Sequence, residues 1–279
     1  MKILITGANG MLGRDISEVL KNHELLLSDK EDLDITNPEQ IETTLQEFTP
    51  EIIVNCAGYI DVEKAEDQED LANKINADGV LNLARACKNS SCVLLHISTE
   101  YVFDGENING YDENAITNPI NIYGKSKALG EKLLQENLDK FYLVRSSWLY
   151  GKNPQLGKER GMNFVETMLK LAKERDELNL ITDQISKPTY TKDLSFAIKQ
   201  LIEENYPHGV YHLVNESPIT PFDFAKEIFS IKHINTKLNP ISYTQYPTKS
   251  KRPLNAILNN IKFPKLRSYK EALKDYLDS

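Results

Sequence analysis

The sequence predicts a doubly wound α/β fold: a parallel, Rossmann-like sheet with a smaller C-terminal α/β substrate lobe. Three observations lead there. Contiguous apolar runs, the mark of strands buried on both faces, alternate with helix-length segments through the first half of the chain. A glycine-rich junction, TGANGMLG at 6–13, stands between the first such run and the first helical segment. The intervals between runs are long enough for the right-handed crossovers that parallel strands require.

Residues 2–6 (KILIT) form the first strand and 11–22 the first helix. The second strand is 24–29 (ELLLSD). Asn37-Pro38-Glu39-Gln40 supplies a cap, a proline at the first helical position and a partner three residues on, so a helix runs to Phe48. A third strand at 51–55 (EIIVN) is followed by a long helix over 68–88. Strands four and five are 92–97 (CVLLHI) and 141–145 (FYLVR). Farther on, a helix over 162–175 places Met162, Val165, Met168, Leu169 and Ala172 on one face. A short apolar run at 178–181 and a strand at 209–214 follow. Thr220-Pro221-Phe222-Asp223 then opens another helix, and prolines break the remainder into loops. The predicted division is a dinucleotide-binding domain over 1–147 and a mainly substrate-binding lobe over 148–279. Segments near 178–205 return to the first domain. The lobe lies over the carboxyl ends of the strands, where open α/β sheets bind ligands.

Composition narrows the function. Forty-one acidic against 33 basic residues in 279 leave a net charge of −8, which argues against a general nucleic-acid binder. No apolar run approaches the roughly 20 residues a membrane span needs. The opening MKILITG holds too short an apolar stretch for a secretory signal. Cys56, Cys87 and Cys92 form neither a disulfide framework nor a metal-ligand spacing, so the expected home is the reducing cytoplasm, with no metal site. The expected partners are small molecules, with neither nucleic acid nor membrane.

The glycine junction carries the first chemistry. A tight turn, close approach of backbone to a pyrophosphate and close helix–strand packing each exclude a Cβ, which suits Gly7, Gly10 and Gly13. The helix that follows presents free N–H groups and a positive dipole end to phosphates. Asp29 ends the second strand, where a carboxylate accepts from ribose hydroxyls and favours NADH. Arg14 and Lys30 nearby could hold a 2′-phosphate instead, so NADPH or NADH is expected. Asp34 has two readings, the adenine side or a solvated loop. Tyr123 and Lys127, four apart, share a helix face. An adjacent ammonium lowers the pKa of a phenol and makes it a workable proton donor near neutrality. The fourth strand ends in Ser98-Thr99-Glu100-Tyr101, putting hydroxyls at the edge where the cofactor sits; strand-end capping is the other reading of Ser98 and Thr99.

With these elements in order, the chain resembles the extended short-chain dehydrogenase/reductase family, and within it the branch that reduces dTDP-4-dehydro-L-rhamnose to dTDP-L-rhamnose. The segments that carry the resemblance span the chain: TGANGMLG at 6–13, DLDIT at 32–36, VNCAG at 54–58, VEKAE at 62–66, STEYVF at 98–103, YGKSK at 123–127, RSSWLYG at 145–151, GMNF at 161–164, and YPT at 246–248 with Arg252-Pro253. The resemblance implies that Tyr123 protonates the sugar keto oxygen, Lys127 holds the nicotinamide ribose and tunes Tyr123, and Thr99 completes the triad. It implies cofactor contacts from Gly7, Gly10, Met11, Leu12, Gly13, Asp29, Asp34, Ile35, Gly58, Tyr59 and Ile60. It implies dTDP-sugar contacts from Thr99, Glu100, Tyr101, Trp148, Asn163 and Arg252. Asn76 resembles the asparagine of the short-chain tetrad, with a buried helix-spanning hydrogen bond as the other reading. Trp148 is either a stacking surface or a core aromatic.

Arg252 lies with Lys249 and Lys251 in the distal half's compact basic cluster. It is either a grip on a diphosphate or a solvated charge. Mg2+ and a homodimer enter by family resemblance alone, and the cluster Glu63, Glu66, Asp67, Glu69, Asp70 reads as a solvated face. Where the family commonly has Ser-Thr-Asp, this chain has Ser98-Thr99-Glu100. Two other functions compete: another nucleotide-sugar ketoreductase, epimerase or dehydratase of the superfamily, or a non-catalytic subunit resembling the regulatory subunit of methionine adenosyltransferase. Dehydratases carry a second consecutive carboxylate, which Tyr101 replaces here. An intact Tyr123/Lys127 pair argues against a scaffold.

Overall fold

A computed structural model describes residues 1–157 and 161–279. Six parallel strands form the central sheet: β1 (Lys2–Thr6), β2 (Glu24–Ser28), β3 (Ile52–Asn55), β4 (Val93–Thr99), β5 (Phe141–Ser146) and, numbered in chain order below, β9 (Gly209–His212). Their order is β2-β1-β3-β4-β5-β9. The chain winds outward from β1 to β2 and then crosses to β3 on the other side. The carboxyl ends of β1 and β3 therefore flank the switch point, where such sheets open a crevice.

Helices cover both faces. On one, α1 (Met11–Val19) and α8 (Thr191–Glu203) bury Leu12, Ile16, Leu194, Ile198 and Leu201 against Ile3, Ile5 and Val54. On the other, α2 (Pro38–Phe48), α5 (Gly79–Ser90) and α6 (Ile122–Asn137) bury Ile41, Leu45, Val80, Leu83 and Leu134 against Leu4, Ile53 and Leu94. Asn37 caps α2 through bonds from the Glu39 and Gln40 amides, as its spacing predicts. Short helices α3 (Val62–Ala65) and α4 (Glu69–Asn73) lead into α5.

The lobe has its own core, built from α7 (Phe164–Glu174), β7 (Glu177–Ile181), α9 (Pro221–Ile231) and α10 (Tyr269–Asp278) around Tyr150, Phe224, Leu180 and Tyr276. Two small parallel pairs serve it: β7 with β10 (Lys237–Ile241), and β6 (Leu149–Tyr150) with β8 (Thr189–Tyr190).

Three expectations need correction. The strand read at 209–214 is not part of the lobe: β9 pairs with β5 and closes the main sheet, its Tyr211 and the following Leu213 entering the core beneath α8. The run at 178–181 does not return to the first domain, because Leu178, Leu180 and Ile181 are buried in register with β10. The helix read over 68–88 is not uniform. Between α4 and α5, residues Lys74–Asp78 form a π-helical turn, a feature that often marks functional sites.

Candidate active site

The glycine junction folds as its chemistry requires. Gly7 has φ +65°, and a Cβ there would lie 2.7 Å from the Ala57 nitrogen. A Cβ on Gly13 would lie 2.3 Å from the Gly7 carbonyl oxygen. These two positions bring the β1 turn against the β3 loop and α1 against the turn. The N-terminus of α1 has no side-chain cap and no acidic residue in its first turn, so its amides and dipole stay open to an anion. Asp29 accepts from the Asn9 amide at 3.1 Å, which holds its carboxylate at the glycine loop. Arg14 donates its Nε to the Asn9 carbonyl at 3.0 Å. These residues fit a dinucleotide. Among the described residues, no group of three or more His, Cys, Asp or Glu is placed to hold a metal.

Several side chains expected at the cofactor serve packing. Leu12 belongs to the core between α1 and α8, and Met11 is buried. Ile35 is buried against Gly79, where an added Cβ would meet its Cδ1 at 2.8 Å, and its carbonyl accepts from Asn82. Asp34 bonds the amide of Thr36; those bonds and Lys30 and Lys74 nearby outweigh the upward pull of burial and leave its carboxyl below the usual range.

The π turn places Asn76. Its Oδ1 accepts from the Tyr59 amide at 2.9 Å, and its Nδ2 donates to the Tyr59 carbonyl at 3.0 Å and to Ser126 Oγ at 2.9 Å. Asn76 thus pins the β3 loop to α6, joining elements where a helix-spanning bond was the alternative. Gly58 closes the same corner: a Cβ there would lie 3.2 Å from Asn76 Oδ1 and 3.9 Å from Lys127 Nζ. Ile60 packs against Gly157.

Helix α6 presents Tyr123 and Lys127. It approaches closely because Gly124 faces the Tyr101 carbonyl and Gly130 faces the Asn76 carbonyl, where added Cβ atoms would sit 2.2 and 2.0 Å away. Asn121 caps it by accepting from the Gly124 amide at 2.7 Å. The Tyr123 ring meets Tyr101 edge to face at 5.5 Å. Burial pushes its phenol well above the ordinary value, the Glu100 carboxylate adds to the rise, and a hydrogen bond with Thr99 works the other way. That corrects the expected lowering by Lys127. The amine turns instead to the β4 edge, donating to the Ile97 carbonyl at 2.7 Å and lying 3.2 Å from His96 Nε2. Burial brings Lys127 itself down to about 8, and pushes the neighbouring Cys56 thiol up to about 12.

Thr99 caps the turn after β4, accepting from the Tyr101 amide at 3.2 Å and donating to Glu100 Oε2 at 2.9 Å. Glu100 is itself buried. Ser98 donates to Glu131 Oε1 at 2.5 Å, so its hydroxyl serves the interior. Glu131, one turn beyond Lys127, forms a fully buried ion pair with Arg145 of β5 at 2.6 Å. Sequence reasoning missed this pair, whose signal was a lone acid on the inner face of an otherwise small-residue helix stretch.

Trp148, half-buried and outside the hydrophobic core clusters, holds φ +40°. A bulky side chain in the left-handed region marks a turn held in place by the structure around it. Asn163, expected at the sugar, is spent elsewhere. It caps α7 in a reciprocal box with Glu166, and its Nδ2 donates to the Gly151 carbonyl at 2.9 Å.

The acidic cluster is a solvated face only at Glu69 and Asp70, which are exposed; the other three acids have partners. Glu63 accepts from the Lys249 amide at 2.8 Å and from Arg252 Nη2 at 3.0 Å; Asp67 pairs with Lys249; Glu66 accepts from the Ile122 amide at 3.0 Å. These bonds strap the basic segment across the end of α6, next to Tyr123. The Nε of Arg252 is buried and, among the described residues, has no hydrogen-bond partner.

The whole chain, residues 1–279, matches the family model described as RmlD substrate binding domain. A dTDP-4-dehydrorhamnose reductase of Aggregatibacter actinomycetemcomitans is 39% identical over 92% of this chain and 90% of its own length. The spore coat polysaccharide biosynthesis protein SpsK of Bacillus subtilis is 34% identical, covering 99% and 96%. The crystal structure of dTDP-4-dehydrorhamnose reductase from Bacillus anthracis in complex with NADP superposes with a TM-score of 0.94 at 40% identity, over 99% of this chain and 98% of that one. With the model matched end to end and relatives of this identity spanning nearly all of it, the chain belongs to the RmlD substrate binding domain family.

Proposed function

We propose that this chain is an NADPH-dependent oxidoreductase that reduces the 4-keto group of dTDP-4-dehydro-L-rhamnose, giving dTDP-L-rhamnose. The observation that carries the reading is the buried phenol of Tyr123, set edge to face on Tyr101 beside Thr99 and Glu100 at the carboxyl end of β4 and one turn from Lys127. The glycine loop, Asp29 and the Gly58–Ile60 loop would hold the dinucleotide. Arg14 and Lys30, beside Asp29, suit a 2′-phosphate, in keeping with the NADP of the Bacillus anthracis relative. When bound, the reduced nicotinamide supplies the hydride.

The chain's own residues do the rest. Tyr123, held protonated by burial and by Glu100, carries the proton that a keto oxygen would take once an arriving hydride makes that oxygen the stronger base. Thr99 lies beside that phenol, and its O–H, donated to Glu100 in the cofactor-free protein, would turn to the same oxygen when substrate binds. Lys127 stands between the β4 edge and Gly58, within reach of a ribose. Trp148 offers a face to the sugar, and the part-exposed guanidinium of Arg252 suits a diphosphate oxygen.

The test is a coupled one. Purified protein with dTDP-4-dehydro-L-rhamnose should deplete the absorbance of NADPH, and faster than that of NADH. Tyr123→Phe should lower kcat by about 10²–10⁴ while leaving NADPH binding largely intact. No turnover with either cofactor rejects the reading, and equal activity of the variant rejects the role of Tyr123.

A further inference from the structure

Behind Lys127 runs a buried polar chain: Thr6, Asn55 and His96, all within 1% of complete burial. Its protons can be assigned by counting donors. Asn55 Oδ1 accepts from the Ala57 amide at 3.1 Å and from the Thr6 hydroxyl at 2.7 Å. A backbone amide can only donate, so this oxygen cannot exchange places with its Nδ2. Asn55 Nδ2 therefore points to His96 Nδ1, 3.0 Å away, and donates. A ring nitrogen that accepts carries no proton, so the neutral imidazole keeps its proton on Nε2. That Nε2 faces Lys127 Nζ at 3.2 Å. An ammonium there would set donor against donor; an amine offers a lone pair to His96 and keeps an N–H for the Ile97 carbonyl at 2.7 Å.

We infer that His96 is a positioning residue whose Nε2–H, locked in place by Asn55, disfavours the ammonium of Lys127 and favours its amine in the cofactor-free protein. Lys127 is then a group that gains and loses a proton near neutrality, rather than a fixed cation. The other titratable groups around it are Cys56 at the end of β3, Glu131 one turn along α6 and Tyr123 one turn back. Glu131 favours the ammonium, but it is committed to Arg145 and Ser98. The depressed proton affinity that burial gives Lys127 acts in the same direction as His96. The consequence for turnover rests on the roles proposed above for Tyr123 and Lys127; the protonation state itself does not.

The experiment separates the two. Long-range 1H–15N correlation on labelled, cofactor-free protein reports the His96 ring directly. Protonated Nε2 and bare Nδ1, unchanged between pH 6 and pH 9, are expected; a protonated Nδ1 or an imidazolium overturns the inference. The second readout is the 15Nζ titration of Lys127. In His96→Asn, the new amide can stand at the Nδ1 position and keep Asn55 satisfied, while the donor facing Lys127 is gone. The Lys127 midpoint should rise by about one pH unit or more, tenfold in proton affinity, and the alkaline limb of kcat should follow it. An unmoved midpoint overturns the inference, as does a native Lys127 that titrates like an exposed lysine. If the variant fails to fold, the native ring and Nζ signals decide. If no reductase activity exists, the proposed function fails while the NMR result still stands or falls by itself.

Discussion

Asn76 grips both backbone edges of Tyr59, its Oδ1 accepting at 2.9 Å and its Nδ2 donating at 3.0 Å, from inside a π-helical turn. A regular α-helix would rotate residue 76 away from that loop; the widened turn aims it there. Asn76→Ala leaves two edges of Tyr59 and the Ser126 hydroxyl short of a partner, which should cost about 1–3 kcal/mol of stability. Because the pinned loop is the proposed cofactor contact, NADPH should bind at least several-fold more weakly. Urea unfolding and a fluorescence titration measure the two effects; undiminished affinity would detach Asn76 from the cofactor.

The Glu131–Arg145 pair makes a second prediction. Both side chains are almost fully buried, and Glu131 also accepts from Ser98 while Arg145 lies over the Phe103 ring. Removing one partner strands the other charge in the interior, so Glu131→Ala should destabilise by about 3–5 kcal/mol. Replacing both, with Glu131→Leu and Arg145→Met together, should recover much of that loss. Denaturant midpoints of the single and double variants decide it; equal losses in both would show that shape rather than charge dominates.

What could be read from the chain followed from spacing, and what could not depended on what lies opposite. Tyr123 and Lys127 are four apart on a capped helix, so their shared face needed no structure. The Gly7–Gly13 interval declared its turn in the same way. Asn163 was misread because a side chain before a helix looks the same whether it caps the helix or meets a sugar. Glu63, Glu66 and Asp67 look solvated along their own helix, and only the fold brings Lys249 and Arg252 against them. His96 sits in an apolar strand, where nothing in the sequence marks Lys127 as its neighbour. The left-handed backbone of Trp148 and the π turn are products of tertiary constraint, with no local signature.

Lys127 also gives stability a pH dependence whose sign can be worked out. Burial lowers its pKa from 10.5 to about 8 in the folded protein. Between those values the unfolded chain holds a proton that the folded chain has released, so this lysine's contribution to stability rises with pH across that window. Below about pH 8 the penalty is present in full. Lys127→Met removes it at every pH, along with a pH-independent loss of the hydrogen bond to Ile97. The native protein's stability minus the variant's should therefore grow by up to about 3 kcal/mol from pH 7 to pH 10.5. Urea unfolding of both proteins at several pH values supplies the difference, and a flat difference would mean that Lys127 titrates normally when folded.

The strap over α6 makes the last prediction. Burial alone would raise the Glu63 carboxyl, but the Arg252 guanidinium and the Lys249 and Ser250 amides outweigh it and hold the group below its usual range. The depressed value means that the strap strengthens folding at neutral pH and weakens as pH falls through the folded pKa, on the acid side of 4.5. Arg252 uses one arm on Glu63 and keeps about 29% of its side chain exposed, so a diphosphate can add to the ion pair without first breaking it. Arg252→Ala should thus raise KM for the dTDP-sugar roughly 10- to 100-fold, the worth of a lost charge-assisted hydrogen bond, with kcat much less affected. Glu63→Gln removes the charge that orients the guanidinium and should raise KM by a smaller factor in the same direction. Steady-state kinetics across the two variants separate the roles: a lower KM in Glu63→Gln would make Glu63 a competitor of the substrate rather than its partner.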